Sequence, residues 1–80
     1  MHHVEFTIEP FREGEPGPHV TEAIAAAERL GADLSVGPFG TSCRVAASSS
    51  GELVAAVVRA AFDHGADHVN IDITDEGDAA

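Results

Sequence analysis

Gly31-Ala32-Asp33 and Gly65-Ala66-Asp67 decide how this chain is read. Each triplet follows a run with helical apolar spacing and precedes a run with strand alternation, and the two stand 34 positions apart. A glycine just past the last turn is a common helix stop. The repeat therefore divides the chain into two similar halves, each reading strand, helix, strand.

Upstream of Gly31, Val20, Ile24, Ala27 and Leu30 fall on one helical face, with Glu22, Glu28 and Arg29 elsewhere. Pro18 suits the first helical position, where its missing N–H costs nothing. The spacing predicts a helix from Pro18 to about Leu30. The stretch from Arg12 to Pro18 is a loop by composition. Before it, Val4, Phe6 and Ile8 alternate with Glu5, Thr7 and Glu9, and Pro10 ends the pairing, which predicts a half-buried strand. Downstream of Gly31, Leu34 and Val36 flank Ser35 in a short second strand. Gly37-Pro38-Phe39-Gly40 is a turn, and Thr41 to Ala47 is a third strand with Cys43 and Val45 on one face and Ser42 and Arg44 on the other.

The second half repeats the scheme. Ser49-Ser50-Gly51-Glu52 has the spacing of a capping box. The helix that follows carries Val54, Val57, Val58, Ala61 and Phe62 as its apolar stripe, and Gly65 stops it. From Asp67 to Thr74, Val69, Ile71 and Ile73 alternate against His68, Asn70 and Asp72. Two strand–helix–strand halves predict an α+β ferredoxin-like sandwich, a four-stranded antiparallel βαββαβ sheet with both helices on one face. Residues 1–80 make a single domain with its core at about 4–74, and 75–80 form an acidic tail. The sheet face away from the helices then carries Glu5, Thr7, Glu9, Asn70 and Asp72.

Composition narrows the chemistry. Fourteen acidic residues stand against four basic ones, all Arg, for a formal charge of -10. Phosphate backbones repel such a chain, so nucleic acid is not an expected partner. Without Lys there is neither a P-loop nor a Schiff base. One cysteine, Cys43, excludes an internal disulfide and a Cys-rich metal site. No apolar run is long enough to span a bilayer, and the first residues lack signal-peptide character, so a cytoplasmic location without membrane contact is expected.

Several groups invite a chemical reading. His64 and His68 are four apart, but Gly65 ends the helix between them, and no metal site is expected. His3 offers only incidental copper or nickel chemistry. Cys43 reads as a small core hydrophobe, Ser48-Ser49-Ser50 as a helix cap, and Glu5 with Glu9 as a solvated face rather than an acid/base pair. Gly37-Pro38-Phe39-Gly40-Thr41-Ser42 is the least ordinary segment. Its glycines permit close backbone approach, Phe39 supplies a flat surface, and Thr41 and Ser42 supply hydroxyls. That set suits a planar heteroaromatic ligand, and equally an ordinary strand connection.

At this segment the chain resembles the small thiamin-binding proteins. The residues that carry the likeness are Val4 to Phe11, Pro18-His19-Val20, Gly37 to Ser42, and Gly65-Ala66 before the last strand. The resemblance implies a non-catalytic protein that binds thiamin or its hydroxymethylpyrimidine part, needs no cofactor, and assembles into homodimers or homotetramers. It implies Phe39, Gly40, Thr41 and Ser42 as ligand-side positions, with His19 at the helix start. The charge pattern adds Glu9 and Asp72, facing the thiazolium or the exocyclic amine. The chain departs from the family pattern at Arg44-Val45, where members often carry Glu-Gly or Arg-Gly. Two other classes stand beside this one: a structural or regulatory sheet-pairing module, and an acylphosphatase-like hydrolase using Arg12 beside Gly14.

Overall fold

Strand β1 (His2–Glu9) is the centre of the sheet, and its alternation sets everything packed on it. In the computed structural model, which describes residues 1–10, 17–37 and 40–77, it is followed by helix α1 (Pro18–Arg29) and strands β2 (Ser35–Gly37) and β3 (Gly40–Val45). A short 3-10 turn (Ala47–Ser49), helix α2 (Ser50–Asp63) and strand β4 (His68–Asp75) complete the βαββαβ order. The four strands lie in the order β2-β3-β1-β4, every neighbouring pair antiparallel. This is the ferredoxin-like α+β sandwich the sequence predicts.

The Gly-Ala-Asp repeat has a shared physical cause. At the end of α1, Gly31 N–H donates to the carbonyl of Glu28 (2.9 Å) and Ala32 N–H to that of Ala27 (3.2 Å). At the end of α2, Gly65 N–H donates to Phe62 (3.4 Å) and Ala66 N–H to Ala61 (3.0 Å). Both ends are Schellman motifs, which satisfy the last helical carbonyls and require a left-handed residue at the turn. Gly31 and Gly65 supply it, at φ 86° and 103°. The alanine after each glycine then returns to the core as the chain heads for its next strand.

The core lies between the sheet and the helices. Val4, Phe6 and Ile8 from β1 meet Cys43 and Val45 from β3, Val20, Ala23 and Ala27 from α1, and Leu53, Val57 and Ala61 from α2. The helices pack side by side, and small alanines on facing flanks permit that close approach. α2 packs against β1 and β4, with α1 along its flank.

Five expectations need correction. Leu53, buried to 1%, anchors α2, whereas Phe62 is 49% exposed at the outer flank of the expected stripe. Leu30, expected on the buried face of α1, is exposed beyond its last turn, and Ala23 and Ala26 are buried instead. The capping box does not form, since the Ser49 side chain makes no cap hydrogen bond. Strand β3 stops at Val45 because the backbone enters the 3-10 turn at Ala47. Thr74 and Asp75 belong to β4, and Glu76 N–H donates to the Met1 carbonyl (3.0 Å), so the tail begins later than expected.

Candidate functional site

Strand register turns the open sheet face into rows. Asp72 lies opposite Glu5, Glu5 opposite Ser42, and Ser42 opposite Ser35, so one row crosses all four strands. In the next row Asn70 lies opposite Thr7, and Gly37 lies opposite Gly40. A third row pairs His68 with Glu9, and on the other side Thr74, His3 and Arg44 form a fourth. Alternation dictates this grouping, because residues two apart share a face.

The glycine row presents two adjacent positions without side chains. Gly37 and Gly40 pair across the β2–β3 hairpin, with Gly40 close beside Thr7. A Cβ at Gly40 would stand 3.0 Å from Thr7 Cγ2 and 3.1 Å from the Phe6 carbonyl oxygen, and its φ of 151° is one L-residues rarely adopt. The glycine is therefore required by the fold, and the flat backbone patch follows from it. Ser42 and Glu5 border this patch on the side of the first row.

Charge is unevenly spent across the face. Arg44 Nε lies 2.8 Å from Glu76 Oε1, and His68 Nδ1 lies 3.0 Å from Glu9 Oε2. Glu5 faces only His3, at 3.9 Å, and Asp72 makes no ion pair among the described residues. Glu5 and Asp72 thus stand opposite one another as two carboxylates with little local compensation, an arrangement that favours a cation.

The expected site residues separate under this geometry. Gly40, Ser42 and Asp72 share the open face. Thr41 does not: it is buried to 6% on the helix side, because it is one residue from Ser42 in a strand. The two hydroxyls cannot bond one ligand edge from opposite faces. Glu9 and Asp72 are also apart, since Glu9 pairs with His68 and Asp72 with Glu5, four strand positions or about 13 Å along the sheet. The same spacing separates Glu9 from Glu5, too far for a shared proton. His19 sits at the start of α1 with its Nε2 against the Pro10 carbonyl oxygen, beyond the end of β1 toward which Gly40 also lies. Phe39, like Arg12 and Gly14, lies outside the described residues.

Sequence reasoning passed over Glu5 as a partner for Asp72, and Thr7 and Ser35 as neighbours of Ser42. Alternation alone places Glu5 and Thr7 on this face; their cross-strand partners need the register. Outside the face, Cys43 is buried among apolar side chains, and that burial pushes its thiol up from 9.0. His64 is turned away from His68, with Nδ1 2.8 Å from the Ala60 carbonyl oxygen and Nε2 3.8 Å from Glu22.

One constellation at the opposite end of the sandwich was not foreseen. Ser50 Oγ lies 2.8 Å from His2 Nδ1, and His2 Nε2 lies 3.8 Å from Asp75 Oδ1. The residue types are those of a hydrolytic triad, but at 3.8 Å the Asp75 carboxylate is beyond hydrogen-bond reach of the imidazole it would have to orient. Ser50 Oγ also lies 3.2 Å from the Ala47 carbonyl oxygen, which competes for its one hydroxyl proton. The group ties the start of α2 to the first residue of β1.

No protein-family model matches the chain, and no curated protein matches it. Among solved structures it is similar to a domain of unknown function, DUF77, from Bacillus cereus, with a TM-score of 0.65 at 22% identity over 91% of this chain and 71% of that one. It is also similar to a Streptococcus pneumoniae protein, with a TM-score of 0.69 at 16% identity over 98% of this chain and 88% of the other. At these identities the likeness establishes the fold, which agrees with the strand order above.

Proposed function

We propose that the open sheet face binds a small heteroaromatic molecule, the cationic thiamin or its neutral hydroxymethylpyrimidine part, without catalysing a reaction. The observation that carries this reading is the row Asp72–Glu5–Ser42 beside the bare backbone at Gly40. A planar ring lies flat on backbone that has no side chains. Ser42 Oγ then reaches a ring nitrogen or the exocyclic amine, and Glu5 and Asp72 face the positive charge. Phe39, in the connection between Gly37 and Gly40, is placed by sequence to cover the ring. The net charge of -10 adds a long-range field of the right sign.

Calorimetric titration with thiamin and, separately, with hydroxymethylpyrimidine tests this. Saturable binding of both, weakened by Ser42→Ala and by Glu5→Gln, supports the reading. Thiamin binding that disappears with added salt while the neutral pyrimidine does not bind would shift the recognition to charge alone. Binding of neither would remove the proposal.

A further inference from the structure

One ion pair lies across the open face. Arg44 stands on β3 opposite His3 of β1, and His3 stands opposite Thr74 of β4. Glu76 comes two residues after Thr74, and its N–H donates to the Met1 carbonyl (3.0 Å), which holds it on the β4 side of β1. Arg44 is exposed between the buried Cys43 and Val45, so its side chain leaves the sheet on the open side. Its Nε lies 2.8 Å from Glu76 Oε1. The pair therefore joins the two neighbours of β1 above its first residues and bars that end of the face.

The bar keeps hydrogen-bonding capacity of both kinds. A guanidinium carries five N–H donors, of which the contact with Glu76 takes up the one on Nε, and a carboxylate accepts at both oxygens. A hydroxyl brought against the pair can accept from Arg44 and donate to Glu76. A phosphate ester at neutral pH is mainly an acceptor. It also brings nearly two negative charges to a cation that Glu76 already neutralises, with Glu5 and Asp72 one row away. Arg29 and Arg59 lie on the helices, so among the described residues Arg44 is the one arginine of this face.

Row spacing decides what reaches the bar. Rows of one face are about 7 Å apart along the strands. The glycine row is followed by the Asp72–Glu5–Ser42 row, then by the Thr74–His3–Arg44 row. In the binding mode proposed above, on which this inference rests, the pyrimidine occupies the first row and the thiazolium the second. Thiamin continues from the thiazolium into a short chain that ends in a hydroxyl, and that end meets the bar in the third. Hydroxymethylpyrimidine has no such arm and stops short.

We propose that the Arg44–Glu76 pair reads the far end of the ligand as a neutral alcohol, and that Glu76 turns away the phosphate ester. Calorimetric titration of the full chain with thiamin, thiamin monophosphate and hydroxymethylpyrimidine tests this. The parent should bind thiamin about fivefold or more tighter than the monophosphate. Glu76→Gln keeps the side-chain shape, frees the Arg44 charge, and should narrow that ratio by about threefold or more, chiefly by tightening the monophosphate. Arg44→Gln should weaken thiamin and leave hydroxymethylpyrimidine as it was. Glu28→Gln, at an exposed position of α1, changes the net charge equally and should not move the ratio. The pair lies at the surface, so its variants keep the fold, as circular dichroism will verify. A monophosphate bound as tightly as thiamin, a ratio indifferent to Glu76→Gln, or a ratio moved as far by Glu28→Gln would overturn this inference and leave the binding mode standing. Binding of none of the three would overturn both.

Discussion

Gly40→Ala is the substitution through which the geometry of the open face is most exposed to test. Two costs add. The backbone at φ 151° lies in a region where any residue but glycine is strained, at about 1–3 kcal/mol. The new methyl would also stand 3.0 Å from Thr7 Cγ2 and 3.1 Å from the Phe6 carbonyl oxygen. Relieving that crowding moves β1 and β3 apart or twists the hairpin, at about another 1–3 kcal/mol. The sum is about 2–6 kcal/mol, against about 4–12 kcal/mol for the whole stability of a domain this size. By the usual conversion for small domains, a loss of even 2 kcal/mol lowers Tm by roughly 8–16 °C. Thermal and urea unfolding followed by circular dichroism measure it. Thr7→Ser in the same chain deletes Cγ2 and should return part of the loss, but not the part due to the Phe6 carbonyl and the dihedral. A Gly40→Ala variant within about 0.5 kcal/mol of the parent would refute the close approach and the bare patch built on it.

The core hierarchy gives a second expectation: Leu53→Ala should cost about 2–5 kcal/mol in urea unfolding, while Phe62→Ala in the monomer should cost far less, because only the first is enclosed. Gly51→Ala should stabilise α2 slightly, by at most about 1 kcal/mol, since nothing lies within 4 Å of the added Cβ and glycine is a poor helix former. Thr41→Ala and Ser42→Ala should part company, the first lowering Tm with thiamin affinity kept, the second lowering affinity with Tm kept. Cys43 ionises less readily folded than unfolded, so its contribution to stability is full below the unfolded value of about 9 and is lost as pH rises toward the folded one. Cys43→Ala should flatten that alkaline decline in a pH series of urea midpoints.

Much of the fold is legible because local signals agree with one another. The Schellman ends announce themselves as Gly-Ala-Asp, Pro18 opens α1 where expected, and alternation in Val4–Ile8 and Val69–Ile73 marks the two longest strands. β3 is found where expected at its start, and its expected end at Ala47 gives way where the poor strand formers Ala46, Ala47 and Ser48 leave the sheet for the 3-10 turn. Packing was harder to foresee. Val54, Val57, Val58 and Phe62 are all apolar, and only the position of α2 on the sheet decides that Leu53 goes in and Phe62 stays out. Helix capping failed for a related reason: the 3-10 turn before α2 leaves Ser49 out of the cap geometry, and the next serine, Ser50, bonds instead to His2 and Ala47.

The candidate site was legible in its residue types and not in its grouping. A strand sends neighbours to opposite faces, so Thr41 and Ser42 look adjacent in sequence and are separated by the thickness of the sheet. Glu9 and Asp72 share a face, but the β1–β4 register puts Glu5, not Glu9, across from Asp72. No single-strand pattern contains that register. His68 likewise engages Glu9 only because the two strands end together.

An amide-resolved NMR titration with thiamin tests the central claim most directly. The account predicts saturable shifts concentrated at Glu5, Thr7, Gly40, Ser42 and Asp72, with Val57, Ala61 and the Ser50–His2 contact undisturbed. Saturable shifts centred instead on the helical layer, or no saturable shifts at all, would contradict it.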